Sequence, residues 1–302
     1  IYPIASCNDT DFQNLMHVYV DAVFNPNIYE RKQIFMQEGW HYELENEDDE
    51  LKYNGVVYNE MKGAYSSPDE VLNNITLQTL FPDTCYSKDS GGRPDVITDL
   101  SYEEFLEYHR THYHPSNSYI YLYGNMDMDE KLEFLDREYL SKYDAIEVDT
   151  EIKSQPQAGK VKEVTGTFSV TEGDTDTKSY LSYNVLCGNI LDKELYLAMQ
   201  MLDYALLSSS GAPLKQALID AGIGSDVYGS YLNIKQPVYS IIAKDADEKD
   251  KDRFVKIVKD TLRELADNGI DKNSLLAGIN YFEFKYREAD FGQFPKGLMY
   301  GI

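Results

Sequence analysis

The chain has 302 residues, 42% of them hydrophobic and 13% aromatic, with 28 Lys and Arg against 52 Asp and Glu, a formal charge of −24. That length and apolar content are enough for about two domains with real cores and exclude global disorder. The acidity makes nucleic acid and anionic membrane poor partners, because both require positive charge on the protein.

The opening "IYPIASCNDT" has no charged region ahead of an apolar run, so it is not a signal peptide. It reads like the middle of a strand. "NDTDFQNLMHVYVDAVF" starts with capping residues and then places Phe12, Leu15, Met16, Tyr19, Val20 and Val23 at helical spacing. "ERKQIFMQEGWHYELENEDDE" begins helical and passes into an acidic, solvated loop. "SSPDEVLNNITLQTL" is a helix capped by Ser66 or Ser67, with Pro68 in its first turn. "YSKDSGGRPDV" lacks any phosphate-binding pattern and reads as a turn. "SYEEFLEYHRTHYHP" is a helix whose Ser101 and Glu104 match a capping box. "SNSYIYLYGN" has the aromatic and β-branched content of a strand, and a helix capped by Asp127 follows.

From Asp144 to Gly159 apolar periodicity fades while Pro and Gln appear, which predicts a domain boundary. Residues 1–143 then form one domain, 144–159 a linker and 160–302 a second domain. In the second, "KVKEVTGTFSV" and "KSYLSYNVLC" read as strands around a turn at "EGDTDT". Helices follow over 192–222, then strands at "SDVYGSYLN" and "PVYSIIAKD". Two long helices close the chain, the first ending at Gly269. The order implies α+β layers, with helices on mainly antiparallel sheets.

The sharpest chemical candidate is Glu60, in "GVVYNEMKGAYSS". On a helix its neighbours three and four residues away are Val56, Val57, Gly63 and Ala64, none of them polar. A buried carboxylate there requires a cation, a hydrogen-bonding network or a raised pKa. His109, His112 and His114 lie close in sequence, but Pro115 ends their helix, and packing and capping roles are expected. His17 and His41 are isolated and read as structural. "SSSGAP" lacks the frame of a nucleophilic serine and reads as a turn between helices. Cys7, Cys85 and Cys187 form no C-x-x-C, which fits incidental thiols in a reducing compartment. A cytoplasmic setting is expected, with an organelle matrix as the alternative in a eukaryote.

"GVVYNEMKGAYSSPDEVL" and "LFPDTCYSKDSGGRPDVITDLSYEEFLEYHRTHYHPSNSYIYLYGNMD" closely resemble the presequence-protease branch of the pitrilysin/insulinase (M16) metallopeptidases. The resemblance is dense to about residue 140 and looser beyond, where "SYNVLCGN" and "SSSGAPLKQALIDAGIG" carry it. It implies two homologous two-layer α+β domains of the LuxS/mitochondrial-processing-peptidase-like type. It also implies a zinc endopeptidase that degrades unstructured peptides. In that family two histidines of a His-x-x-Glu-His motif and a downstream glutamate hold Zn2+, and the glutamate within the motif activates water. The downstream ligand falls on Glu60. No His-x-x-Glu-His occurs in the 302 residues. The expectation is therefore an internal fragment, inactive and weak for zinc by itself, whose partners are extended peptides, basic ones favoured by charge, and the rest of the same polypeptide. The rival is a non-catalytic M16-fold subunit for assembly or peptide binding. A more distant one is an unrelated acidic interaction module, with Glu60 in open solvent as its mark.

Overall fold

The computed structural model describes residues 1–156, 159–170, 179–289 and 291–302. In chain order the elements are α1 (Asp9–Phe24), α2 (Lys32–Glu38), β1 (His41–Glu43), β2 (Lys52–Asn54), α3 (Val56–Ala64), α4 (Pro68–Leu80), α5 (Pro94–Ile97), α6 (Tyr102–His112) and α7 (Met128–Glu138). They continue with β3 (Ser179–Leu186), α8 (Lys193–Asp203), α9 (Pro213–Asp220), β4 (Asp226–Leu232), β5 (Val238–Ala246), α10 (Lys251–Asn268), α11 (Lys272–Glu288) and α12 (Lys296–Gly301). The class is α+β, as the strand and helix order implies.

Two compact units divide the chain. One comprises Ile1–Ala64, Ser90–Glu151 and Asp290–Ile302, the other Tyr65–Asp89 and Ile152–Ala289. These units are discontinuous in sequence, unlike the contiguous 1–143 and 160–302 expected from composition. The reason is α4 and the turn after it, which join the second unit. Tyr228 donates to Asp69, the Asp83 backbone N–H donates to Gln155 Oε1 at 3.0 Å, and the Lys235 N–H donates to the Tyr86 hydroxyl at 3.0 Å.

The second unit is built on an antiparallel sheet in the order β3-β5-β4. β5 lies in the middle and buries Val238, Tyr239, Ile241, Ile242, Ala243 and Ala246. Leu214 and Leu218 of α9 and Phe254 and Val258 of α10 close over Leu181, Val227 and Ile241 in one buried cluster. α10 stops at Gly269, which takes φ +84°, a conformation a side chain resists. α8 passes at Asp203 directly into a π-helical turn, Tyr204–Ser208, which buries Ala205, Leu206 and Leu207.

In the first unit, α1 begins with Asn8 accepting from the Asp11 N–H, α6 with the full Ser101–Glu104 capping box, and α7 with Asp127 accepting from the Glu130 N–H. Its buried apolar side chains are Met16, Phe24, Ile28, Phe35, Ile97, Leu135 and Tyr139. Its sheet is a hairpin of β1 and β2 alone among the described residues.

Three strand expectations fail. Residues 1–6, 118–123 and 161–170 form no strand. A strand exists only through its hydrogen-bonded neighbour, and none lies beside these segments among the described residues. Tyr119 is 104% exposed, and Ile120, Tyr121 and Tyr123 are exposed with it. Tyr121 and Tyr123 still meet the glycines of α12, where a Cβ on Gly301 or Gly297 would overlap their rings. The expected turn at "EGDTDT" lies outside the described residues. The acidic loop at 44–51 is present, but it connects the two strands of a hairpin.

Candidate functional site

The chain enters α3 through a tight crossing of two backbones. Gly55 has φ +156°, and a Cβ there would collide with the Gly39 carbonyl. Asn54 holds the turn: its Oδ1 accepts from the Gly55 N–H at 2.8 Å and from Asn59 Nδ2 at 2.6 Å. The helix then divides by size. Tyr58, Met61 and Ala64 are half-buried, and Met61 lies over Gly91, where any Cβ would strike its sulfur. Val56 (51%), Val57 (36%), Glu60 and Gly63 face outward and are exposed.

Glu60 is therefore not buried on an apolar face, as its neighbours had implied. The apolar residues around it are real, but they form the open side of the helix. Tyr58 and Met61 bring more apolar area than two valines and a glycine, so they take the covered side. Beyond Gly63 a Cβ would meet open space. Glu60 is accessible at the centre of a small-residue surface.

No group of three or more His, Cys, Asp or Glu able to hold a metal exists among the described residues. Zinc centres take three or four protein ligands. A single exposed carboxylate does not make one, and these residues alone do not fit the ion.

The histidines are engaged structurally. His109 lies 2.6 Å from the Tyr29 hydroxyl through Nδ1 and 2.9 Å from the Val23 carbonyl through Nε2. His112 stacks on Tyr108 with centroids 4.1 Å apart. His114 Nδ1 accepts from the Ser116 N–H at 3.1 Å. His17 packs against Phe134 and Tyr139.

One buried and one half-buried polar group were not foreseen. Lys131 is fully buried, with Nζ 3.2 Å from Asp9 and 3.8 Å from Glu130 but without a hydrogen bond. Asp203, at the start of the π-turn, accepts from the Tyr239 hydroxyl at 2.9 Å and from Ser208 at 3.4 Å. It lies against Gly229 of β4, where a Cβ would overlap its Oδ1. Burial pushes the Asp203 carboxyl up, and the two hydrogen bonds oppose that shift. A glycine inside a strand was the available signal for this close approach. Cys7, Cys85 and Cys187 are all free thiols, and no described helix is long and apolar enough to cross a membrane.

The sequence model described as the Peptidase M16 inactive domain matches residues 99–281, more than half of the chain. The chain belongs to the M16 peptidase family. Protein HypA of Clostridium perfringens is 54% identical over 99% of this chain and 31% of its own length. Presequence protease 1, chloroplastic/mitochondrial, of Arabidopsis thaliana is 39% identical over 98% of this chain and 28% of its own. The chain thus spans less than a third of these relatives' length, and within the family it falls in the presequence-protease-like branch. Crystalline pitrilysin shares the fold, with a TM-score of 0.57 over 95% of this chain and 29% of that one at 15% identity. Family membership removes the unrelated acidic module as a reading, even though Glu60 is exposed.

Proposed function

We propose that this M16 chain is part of a zinc-dependent metalloendopeptidase that hydrolyses unstructured peptides. Glu60, in the "NEMKG" segment, supports that reading most directly. It stands accessible in the middle of an uncovered small-residue face of α3, where a second element can approach closely. In this reading Glu60 contributes one carboxylate to Zn2+, and the other ligands and the general base come from the rest of the same polypeptide. When bound, the metal would supply an activated water for attack on the peptide bond. The 302-residue chain by itself then holds zinc weakly and does not cleave peptides. Extended peptides are the substrates, with basic ones drawn by the charge of −24. Nucleic acid and membrane are not partners. Residues 1–143 belong to the catalytic M16 domain and 160–302 to a second one, whichever compact units their contacts form. The compartment is the cytoplasm or an organelle matrix.

One observation favours a second reading, a non-catalytic M16-fold subunit for assembly or peptide binding: the family model that matches is that of the inactive domain. Peptide cleavage separates the two. In a polypeptide of the relatives' length carrying this chain, Glu60→Gln is expected to lower cleavage of an unstructured peptide by at least about 100-fold without changing thermal stability. Wild-type turnover in the variant contradicts the role of Glu60, and no cleavage by either protein supports the subunit.

A further inference from the structure

The β1–β2 hairpin of the first unit is inside out. Its register pairs His41 with Asn54, Tyr42 with Tyr53 and Glu43 with Lys52. Side chains alternate along a strand, so His41, Glu43, Lys52 and Asn54 share one face. Three of these four polar residues are half-buried. His41 Nδ1 lies 2.7 Å from the Met36 carbonyl, and Asn54 Nδ2 donates to Glu43 at 2.7 Å. Tyr42 and Tyr53 share the opposite face, and Leu44 and Leu51 follow directly on that pair. Tyr42, Leu44, Leu51 and Tyr53 are exposed to 58%, 49%, 56% and 43%. A hairpin at a free surface keeps its polar side in water and its apolar side covered; this one does the reverse.

The outward tyrosines form a connected surface with the half-buried Trp40. Trp40 meets Tyr42 edge-on at 5.6 Å and Tyr53 at 5.8 Å, and Tyr42 and Tyr53 lie 5.1 Å apart. Trp40 is anchored by its indole N–H, which donates to the Leu100 carbonyl at 3.0 Å. Beside the rings runs a loop of one sign. Glu45, Glu47, Asp48, Asp49 and Glu50 carry carboxylates, and no Lys or Arg occurs between Lys32 and Lys52. Asn46 orders the tip of the loop by donating its backbone N–H and Nδ2 to Asp49 at 3.0 and 2.8 Å. Aromatic faces attract cations, and the carboxylates reinforce that preference while repelling acidic chains.

We propose that this hairpin face docks an extended peptide in which Lys or Arg alternates with apolar side chains. The apolar side chains lie on Leu44, Leu51 and Tyr53, and the cations reach the faces of Tyr42 and Trp40 and the carboxylates of the loop. The choice of a peptide as occupant rests on the peptidase reading above; the site itself is a separate claim.

Trp40 is the only tryptophan of the chain, so its emission reports on this face directly. The 302-residue chain is titrated with a synthetic peptide of alternating Lys and Leu, and with a counterpart carrying Glu in place of Lys. The Lys peptide is expected to give a saturable change in Trp40 emission that weakens with added salt. The Glu peptide is expected to give none. Tyr42→Ser and the doubly neutralised Glu47→Gln/Asp48→Asn are each expected to weaken binding about tenfold. The loop variant leaves the packed face of the hairpin untouched, so it remains informative if Tyr42→Ser misfolds. Unmoved Trp40 emission, equal binding of the Glu peptide, or affinities within about twofold of wild type in the loop variant each overturn the site. Cleavage of the Lys peptide by the longer polypeptide is scored separately. Cleavage with an unchanged KM in the loop variant retains the peptidase reading and overturns the docking face. Docking without cleavage does the opposite.

Discussion

The two units of the chain treat their apolar residues differently. In the second, thirteen buried hydrophobic residues join in one cluster about a three-stranded sheet among the described residues, although α11 leaves Ile279, Tyr281 and Phe284 exposed. In the first, rings and aliphatic side chains stand in solvent at β1–β2, on α3 and along 119–123, and the sheet has two strands among the described residues. A unit that closes its own core derives stability from it. A unit that leaves contiguous apolar surface bare is shaped for contact with something else. Apart from Tyr65–Asp89, the unit with the closed core lies where the resemblance to M16 peptidases is loose, and most of the open one lies where it is dense.

The largest expected effect breaks or keeps that contrast. Phe254, 1% exposed on α10, is a core residue of the second unit, and Phe254→Ala should cost about 3–5 kcal/mol. Tyr119, fully exposed in the first unit, should tolerate Ala within about 0.5 kcal/mol. Urea unfolding of both variants gives the comparison, and similar costs at the two positions would remove it. A smaller effect tests how tightly the second unit closes around its polar defect. Gly229→Ala drives a methyl group into Asp203 and should cost about 1–3 kcal/mol in the same assay.

The smallest effect is a pH dependence. Burial raises the carboxyl pKa of Asp203 in the folded chain, so the fold favours the protonated acid. Its contribution to stability is present at low pH and is lost as pH climbs from the ordinary carboxylate range through the raised value. Asp203→Asn keeps an acceptor for Tyr239 and removes the titration. Its urea midpoint should exceed that of wild type more at pH 8 than at pH 4, on the scale of the reference carboxylate values. A difference independent of pH contradicts the assignment.

The sheet of the second unit was legible because each strand has its partner inside the chain, so the β-branched and aromatic runs in "SYLSYNVL", "DVYGSYL" and "VYSIIAKDA" met hydrogen-bonded neighbours. "SYIYLYG" carries the same signal and forms no strand, because propensity describes a fit to neighbours and does not supply them. The hairpin was hidden by its own acids. The carboxylates of 47–50 read as a solvated loop, while the alternation of Trp40, Tyr42 and Leu44 with Leu51 and Tyr53 was the available cue. Caps were legible at Ser101, Asp127 and Gly269 because they depend on residues a few positions apart. Glu60 stood out as a candidate through its helix neighbours, and its expected role as a zinc ligand came only from the resemblance. Periodicity showed that it shares a face with Val56, Val57 and Gly63, but which face of a short helix is covered depends on packing that spacing does not encode.

The claim that Glu60 is a zinc ligand completed from elsewhere in the polypeptide is tested most directly by metal content. Purified protein of the relatives' length carrying this chain, wild type and Glu60→Gln, is dialysed against the same buffered zinc and measured by atomic emission alongside its melting temperature. The account predicts zinc bound in the wild type and an affinity lowered at least about 100-fold in the variant at an unchanged melting temperature. Equal zinc in the two proteins would contradict it.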